Sequence, residues 1–404
     1  MAENKSSGVI AWVVLAVIII IGAVYFLRPA STPTQQPVAN ETNTPEVITA
    51  QIPDGPIIMG ASAPLSGDQV AFATMRTATD LAVEEINANG GVKGHQLQII
   101  WEDDKCNPQD GTSAAQKLVE VDKVHFIIGT VCSGATLAEA AITEPAKVLL
   151  FSAAASSPDL TTAGDYVFRT YPSDGVGGKV LAKYSYNELK KMKLAMLSEQ
   201  VDYTQGLRKT MSETFKALGG EVVADENYNA GDTDFRTQLL KMKESGADIV
   251  FVNANGPVPG TLILKQMNVA GLKVLTVVND SLISADAISK NRGLYEGVYS
   301  TSPDLDPARP QTKKYLDAYQ AKYKKAPEYP AYMASSYDQV YMIAQAFAEV
   351  GTDTSAVRDW LYGVKNWPGA LGDITIDSNG DPLIGYHIKQ VTNGALKDLG
   401  AYQP

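Results

Sequence analysis

The stretch GTVCSGATLAEAAITEPAKVLLFSAAASSP, Gly129 to Pro158, follows one short apolar run, His125–Ile128, and contains another, Val148–Phe151. Both have the length and composition of buried strands. Each empties into small and hydroxyl residues, 130–134 after the first and 152–157 after the second. A helix over about 135–144 joins them. In an open α/β sheet, ligands bind beyond the carboxyl ends of the strands. Ser133, where a helix begins, and Ser156 therefore stand at the candidate site, where hydroxyls and nearby amides suit an anion. Ordinary helix capping is the alternative role for both.

The same alternation extends outward. Towards the amino terminus lie a strand at Ile57–Gly60, a loop of small residues at 62–68, a helix over 70–87 and a stop at Asn89-Gly90-Gly91. A strand at Leu97–Trp101 and a helix over 111–121 complete a β-α-β-α-β-α-β lobe, which predicts a parallel sheet covered on both faces. Tyr171-Pro172-Ser173-Asp174-Gly175 breaks the pattern and reads as the first crossover. A second series follows, with strands at 193–197, 221–227, 248–253 and 273–278 and helices at 177–191, 205–218, 235–245 and 260–270. Helices over 311–323 and 335–350 are expected to rejoin the first lobe, before a short strand at 372–376 and a closing strand at 384–390. Two such lobes, with their loops facing across a hinge, form a clamp for a small ligand.

A chain of 404 residues exceeds one typical domain. Its net charge of −11, without a basic run, argues against nucleic acid, whose phosphates need Lys and Arg. Residues 8–27 are apolar and uncharged and span roughly 30 Å as a helix, the thickness of a hydrocarbon core. No small-residue cleavage site follows. We expect a membrane anchor over 1–28 rather than a signal peptide, and a disordered Pro- and Thr-rich tether over 29–55. Cys106 and Cys132 fall at the same end of adjacent βα units. They form either a disulfide, implying an oxidising compartment, or two buried thiols. The three histidines are scattered, with no zinc spacing. Gly175-Val176-Gly177-Gly178 lacks the rest of a dinucleotide fingerprint, since position 180 is Val. No nucleophile elbow or phosphate loop occurs. An enzyme is not expected, and neither is a cofactor or metal.

Ala63-Pro64-Leu65-Ser66-Gly67, the block 82–94 reading AVEEINANGGVKG, and Asp103-Asp104 before Cys106 resemble the type I periplasmic binding proteins, in particular the leucine/isoleucine/valine-binding branch. The likeness runs from about Ile57 to Gln390. It implies two Rossmann-like lobes joined by three crossovers, one comprising 56–172 and 302–384, the other 173–301 and 385–404. It further implies that the Ser133 hydroxyl and amide, beside Cys132, hold an amino acid's carboxylate, and that Ala154 and Ser156 hold carboxylate and ammonium. Ser156 stands where the family usually has Thr. Tyr203, in a loop before a helix, would cover the ligand, and Asp280 would pair with the ammonium where branched-chain binders carry Glu. Asn255, Phe72 and Tyr332 fall at further ligand-lining positions. The function so implied is an extracytoplasmic receptor that delivers a branched-chain or other neutral amino acid to an ABC permease. A membrane-tethered sensor and an amide or urea receptor are the alternatives.

Overall fold

The computed structural model describes residues 51–402. The expected anchor lies outside them, as does the tether up to residue 50. Of the tether, residues 51–55 are described, and all but Ile52 are exposed. Ile52 rests against the core, and the Thr352 amide donates to the Gln51 carbonyl at 3.1 Å. Among the described residues no helix is long and apolar enough to cross a membrane.

Five parallel strands form the first sheet: β1 (Ile57–Ala63), β2 (Leu97–Asp103), β3 (Phe126–Ile128), β4 (Leu149–Ser152) and β5 (Val167–Arg169). Their order is β2-β1-β3-β4-β5. Helices Arg76–Ala88 and Pro330–Val350 cover one face. Their apolar sides join Met59, Ile128, Leu149 and Phe151 in one large core. The second sheet is built from β6 (Lys193–Glu199), β7 (Glu221–Tyr228), β8 (Ile249–Asn253), β9 (Leu275–Val278) and β10 (Tyr299–Pro303). After the short pair β11 (Trp367–Pro368) and β12 (Asp373–Ile374), the chain returns to it with β13 (Tyr386–Thr392) and β14 (Ala395–Ala401). The order is β14-β13-β10-β9-β8-β6-β7, antiparallel only at β10–β13–β14. Every residue of β8 is buried, as helices on both faces require. The chain crosses between the sheets after Arg169, after Pro303 and before Tyr386.

The structure corrects the sequence reading in places. The helix expected over 70–87 opens as a 3₁₀ turn, Val70–Met75, before Arg76–Ala88. Strands β5, β10 and β14 were not expected. Ser302 and Pro303 end β10 in the second sheet, so the return to the first lobe follows Pro303 instead of preceding Ser302. Helix Asp202–Ala217 begins three residues earlier than its apolar pattern, which puts Tyr203 inside its first turn and not in a loop.

Candidate functional site

Helix Ser133–Ala146 follows the end of β3 after four residues, 129–132. Its N-cap, Cys132, contributes no side-chain acceptor, so the first-turn amides are left for an external partner. The Ser133 hydroxyl oxygen accepts from the amides of Ser156 at 3.2 Å and Ser157 at 3.1 Å. Both lone pairs are thus engaged, and the one O–H proton is left to donate. The loop carrying Ser156 is fixed on three sides. Ser152 Oγ donates to the Thr130 carbonyl at 2.8 Å and accepts from the Ala155 amide at 3.0 Å. Arg169, buried and paired through Nε and Nη2 with Asp381, donates from Nη1 to the Ser157 carbonyl at 2.8 Å. Ser156 Oγ donates to the buried Asp174 carboxyl at 2.7 Å. Burial, then the nearby Asp280, pushes Asp174 well above the ordinary carboxyl range.

The facing wall comes from the ends of β6, β8 and β9. Here Asp280 is not a bare carboxylate. Tyr203 and Tyr332 donate to its Oδ1 at 3.0 and 2.9 Å, and Tyr171 donates to Oδ2 at 2.5 Å. Asn279 donates to the Tyr203 oxygen at 2.9 Å, and Tyr171 stacks on Tyr332 at 4.1 Å between centroids. Burial raises the Asp280 pKa, against the three phenols and the Ser281 amide that lower it. A cavity of about 260 Å³ separates the walls, lined by Phe72, Cys132, Ser133, Ala154, Ser156, Tyr203, Asn255 and Tyr332. Of the residues singled out in the sequence, Asp280 alone is not in this lining. It borders a second cavity of about 170 Å³ behind the tyrosines. Tyr203 and Tyr332, which donate to Asp280, line the first cavity.

Cys106 and Cys132 are joined, with Cα atoms 5.2 Å apart, and the bridge lines the cleft. Tyr171 and Asp174 are functional candidates that sequence reasoning passed over. Their segment reads as a crossover, and the only available signal was that it carries a Tyr and an Asp there. No group of three or more His, Cys, Asp or Glu suited to a metal occurs among the described residues.

A family model described as periplasmic binding protein matches residues 56–395. The chain is 29% identical over 328 residues to the leucine-, isoleucine-, valine-, threonine-, and alanine-binding protein of Pseudomonas aeruginosa, covering 80% of this chain and 87% of that one. It is 30% identical over 339 residues to the Leu/Ile/Val-binding protein homolog 2 of Brucella abortus, covering 82% and 89%. Among solved structures, the branched-chain amino acid transporter substrate binding protein LivJ from Streptococcus pneumoniae, in complex with isoleucine, is similar with a TM-score of 0.78 and 29% identity, covering 86% of this chain and 100% of that one.

Proposed function

The chain belongs to the periplasmic binding protein family, and from that premise we propose that it is an extracytoplasmic receptor that captures a neutral amino acid and delivers it to an ABC permease. One observation carries this reading: a single cavity is lined by Ser133 at a helix start and by the hydroxyls of Ser156, Tyr203 and Tyr332, the donors and acceptors that a zwitterion needs.

The ligand carboxylate docks on the free Ser133 proton and the uncapped first-turn amides, where the helix dipole favours negative charge. The ammonium needs three acceptors. Ser156 Oγ, the Ala154 carbonyl and the oxygens of Tyr203 and Tyr332 surround that position. Asp280 acts on it through those phenols, whose protons it already accepts. Nothing in this cycle breaks a covalent bond. Contacts from both lobes are complete only when the cleft is shut, and this is the differential affinity that drives closure. The uncharged segment 8–27 anchors the receptor to the membrane, with residues 51–402 outside.

Isothermal titration of the full chain against neutral amino acids tests the proposal. Saturable one-site binding that Ser133→Ala weakens tenfold or more is expected. Binding of amino acids that is indifferent to Ser133 and Tyr203 substitutions refutes the cleft as the site.

A further inference from the structure

We infer that the receptor selects amino acids with an uncharged, hydrogen-bonding side chain, such as glutamine, asparagine, serine or threonine, and that Asn255 makes the selection. This rests on the amino-acid reading above.

Once the ligand's carboxylate and ammonium are placed, few polar groups in the cleft are left to meet its side chain. Asn107 is committed elsewhere: its Oδ1 accepts from the Asp110 amide at 2.9 Å and its Nδ2 donates to the Asp110 carboxylate at 2.6 Å. The Ser281 hydroxyl donates to the Ala254 carbonyl at 3.2 Å and accepts from the Gly256 amide at 3.2 Å. Gln200 and Asp202 are exposed at the mouth. Asn255 differs from all of these. It is half-buried, and its Oδ1 accepts no hydrogen bond among the described residues. Its Nδ2 has only the disulfide sulfur of Cys106, 3.7 Å away across the cleft. A sulfur at that distance is a weak acceptor. One strong acceptor and two donors are therefore available to whatever fills the cavity.

The backbone that carries this side chain is held in place. The Asn255 amide donates at 2.8 Å to the buried Glu199 carboxylate, which Tyr228 holds at 3.0 Å. Gly256 follows at φ +101, where a Cβ would lie 3.2 Å from the Phe72 ring, so the backbone on that side is confined too. With its backbone held, the carboxamide stays on the cavity wall when the cleft closes. Leucine or isoleucine closing over it leaves the carboxamide desolvated and unpaired, while a polar side chain satisfies it. Sites built to hydrogen-bond a substrate group reject the analogue that lacks it more strongly than apolar pockets reject an extra methylene. No Lys or Arg lines the cavity, so an acidic side chain finds no counter-charge there.

The test is competitive titration of the full chain with glutamine, asparagine, serine, threonine, leucine, isoleucine and valine, repeated on Asn255→Leu, a near-isosteric change. Wild type should bind at least one polar amino acid about tenfold or more tighter than any branched-chain one, and Asn255→Leu should reverse that order. Wild type preferring leucine, isoleucine or valine overturns the inference while leaving the receptor reading intact. An unchanged ratio in Asn255→Leu overturns it as well. Binding none of the seven overturns the inference, and binding no neutral amino acid at all removes the amino-acid reading itself. The wild-type series stands without the variant, so a folding defect in Asn255→Leu does not blunt the test.

Discussion

At the scale of single residues, the cleft is defined by which protons and lone pairs remain free. Ser133 holds two buried amides and keeps its own proton, so Ser133→Ala should do two separable things. Stranding the Ser156 and Ser157 amides should cost about 1–3 kcal/mol in urea denaturation, and ligand affinity should fall tenfold or more in calorimetry. Loss of stability with intact affinity would confine Ser133 to holding the loop. Asp104 offers a second test. It is buried beside the fully buried Glu139, and its Oδ2 and Glu139 Oε2 have no partner among the described residues. Burial pushes Asp104 up to about 6, against the Cys106 amide that lowers it. The folded state therefore holds a proton that the unfolded chain, titrating near 3.9, has already released. Stability should fall as pH rises from about 4 to about 6 and stay lower above that. Asp104→Asn keeps an oxygen for the Cys106 amide, should flatten that fall, and should gain about 1–3 kcal/mol at pH 7. A variant no more stable at pH 7, by thermal denaturation across pH, contradicts this. The serines were legible because a hydroxyl after a buried strand marks a sheet's ligand end. The shielding of Asp280 was not, because its three tyrosines come from 109, 77 and 52 residues away. No local pattern encodes that convergence.

At the scale of elements, helix Asp202–Ala217 of the second lobe meets the 3₁₀ turn Pro158–Thr162 of the first. Gly206 lies at that seam. A Cβ there would lie 2.6 Å from Pro158 Cδ, a ring atom with little freedom to yield. Alanine is otherwise the better helix residue, by about 1 kcal/mol. Gly206→Ala should therefore leave the ligand-free protein at least as stable, yet weaken ligand binding several-fold because the shut cleft no longer fits. Calorimetry paired with a ligand-free melting curve checks this, and a variant that binds as wild type shows the seam to be loose. The same scale separates readable from unreadable elements. Strands with continuous apolar runs, such as Ile249–Asn253, declare themselves by composition. Ala395–Ala401 is a mostly exposed edge strand carrying Lys397 and Asp398, and Tyr299–Pro303 is hydroxyl-rich and ends in proline. Their pairing is imposed by the neighbouring Tyr386–Thr392, a tertiary fact that outweighs weak propensity.

At the scale of the molecule, two lobes are cross-linked by contacts that exist only together. The Cys106–Cys132 bridge closes a 26-residue separation within the first lobe, so the double serine variant should lose about 3–4 kcal/mol by denaturant titration. An unchanged midpoint would mean that the packing around the bridge already restrains the loop. Legibility at this scale was good for the repeated α/β series, whose alternation predicts sheets with strand ends facing one cleft. At the hinge the Tyr171 segment reads as a crossover between the lobes, but nothing local marks Tyr171 as a donor across them. That residue separates binding from closing. Tyr171 belongs to the first-lobe core, donates to Asp280 of the second lobe at 2.5 Å, and does not line the ligand cavity. Tyr171→Phe deletes one interlobe hydrogen bond to a carboxyl, worth about 1.5–3 kcal/mol when the acceptor is charged, and removes nothing the ligand touches. If closure and binding are one equilibrium, the shut state loses that stabilisation whatever is bound. Every ligand should then weaken by the same factor, about 10- to 100-fold, with the order of preference untouched. Small-angle scattering of the half-saturated protein should show a larger fraction of open molecules than wild type at the same ligand concentration. A loss confined to one ligand class would place Tyr171 in recognition, and no loss at all would mean that the lobes close without this contact.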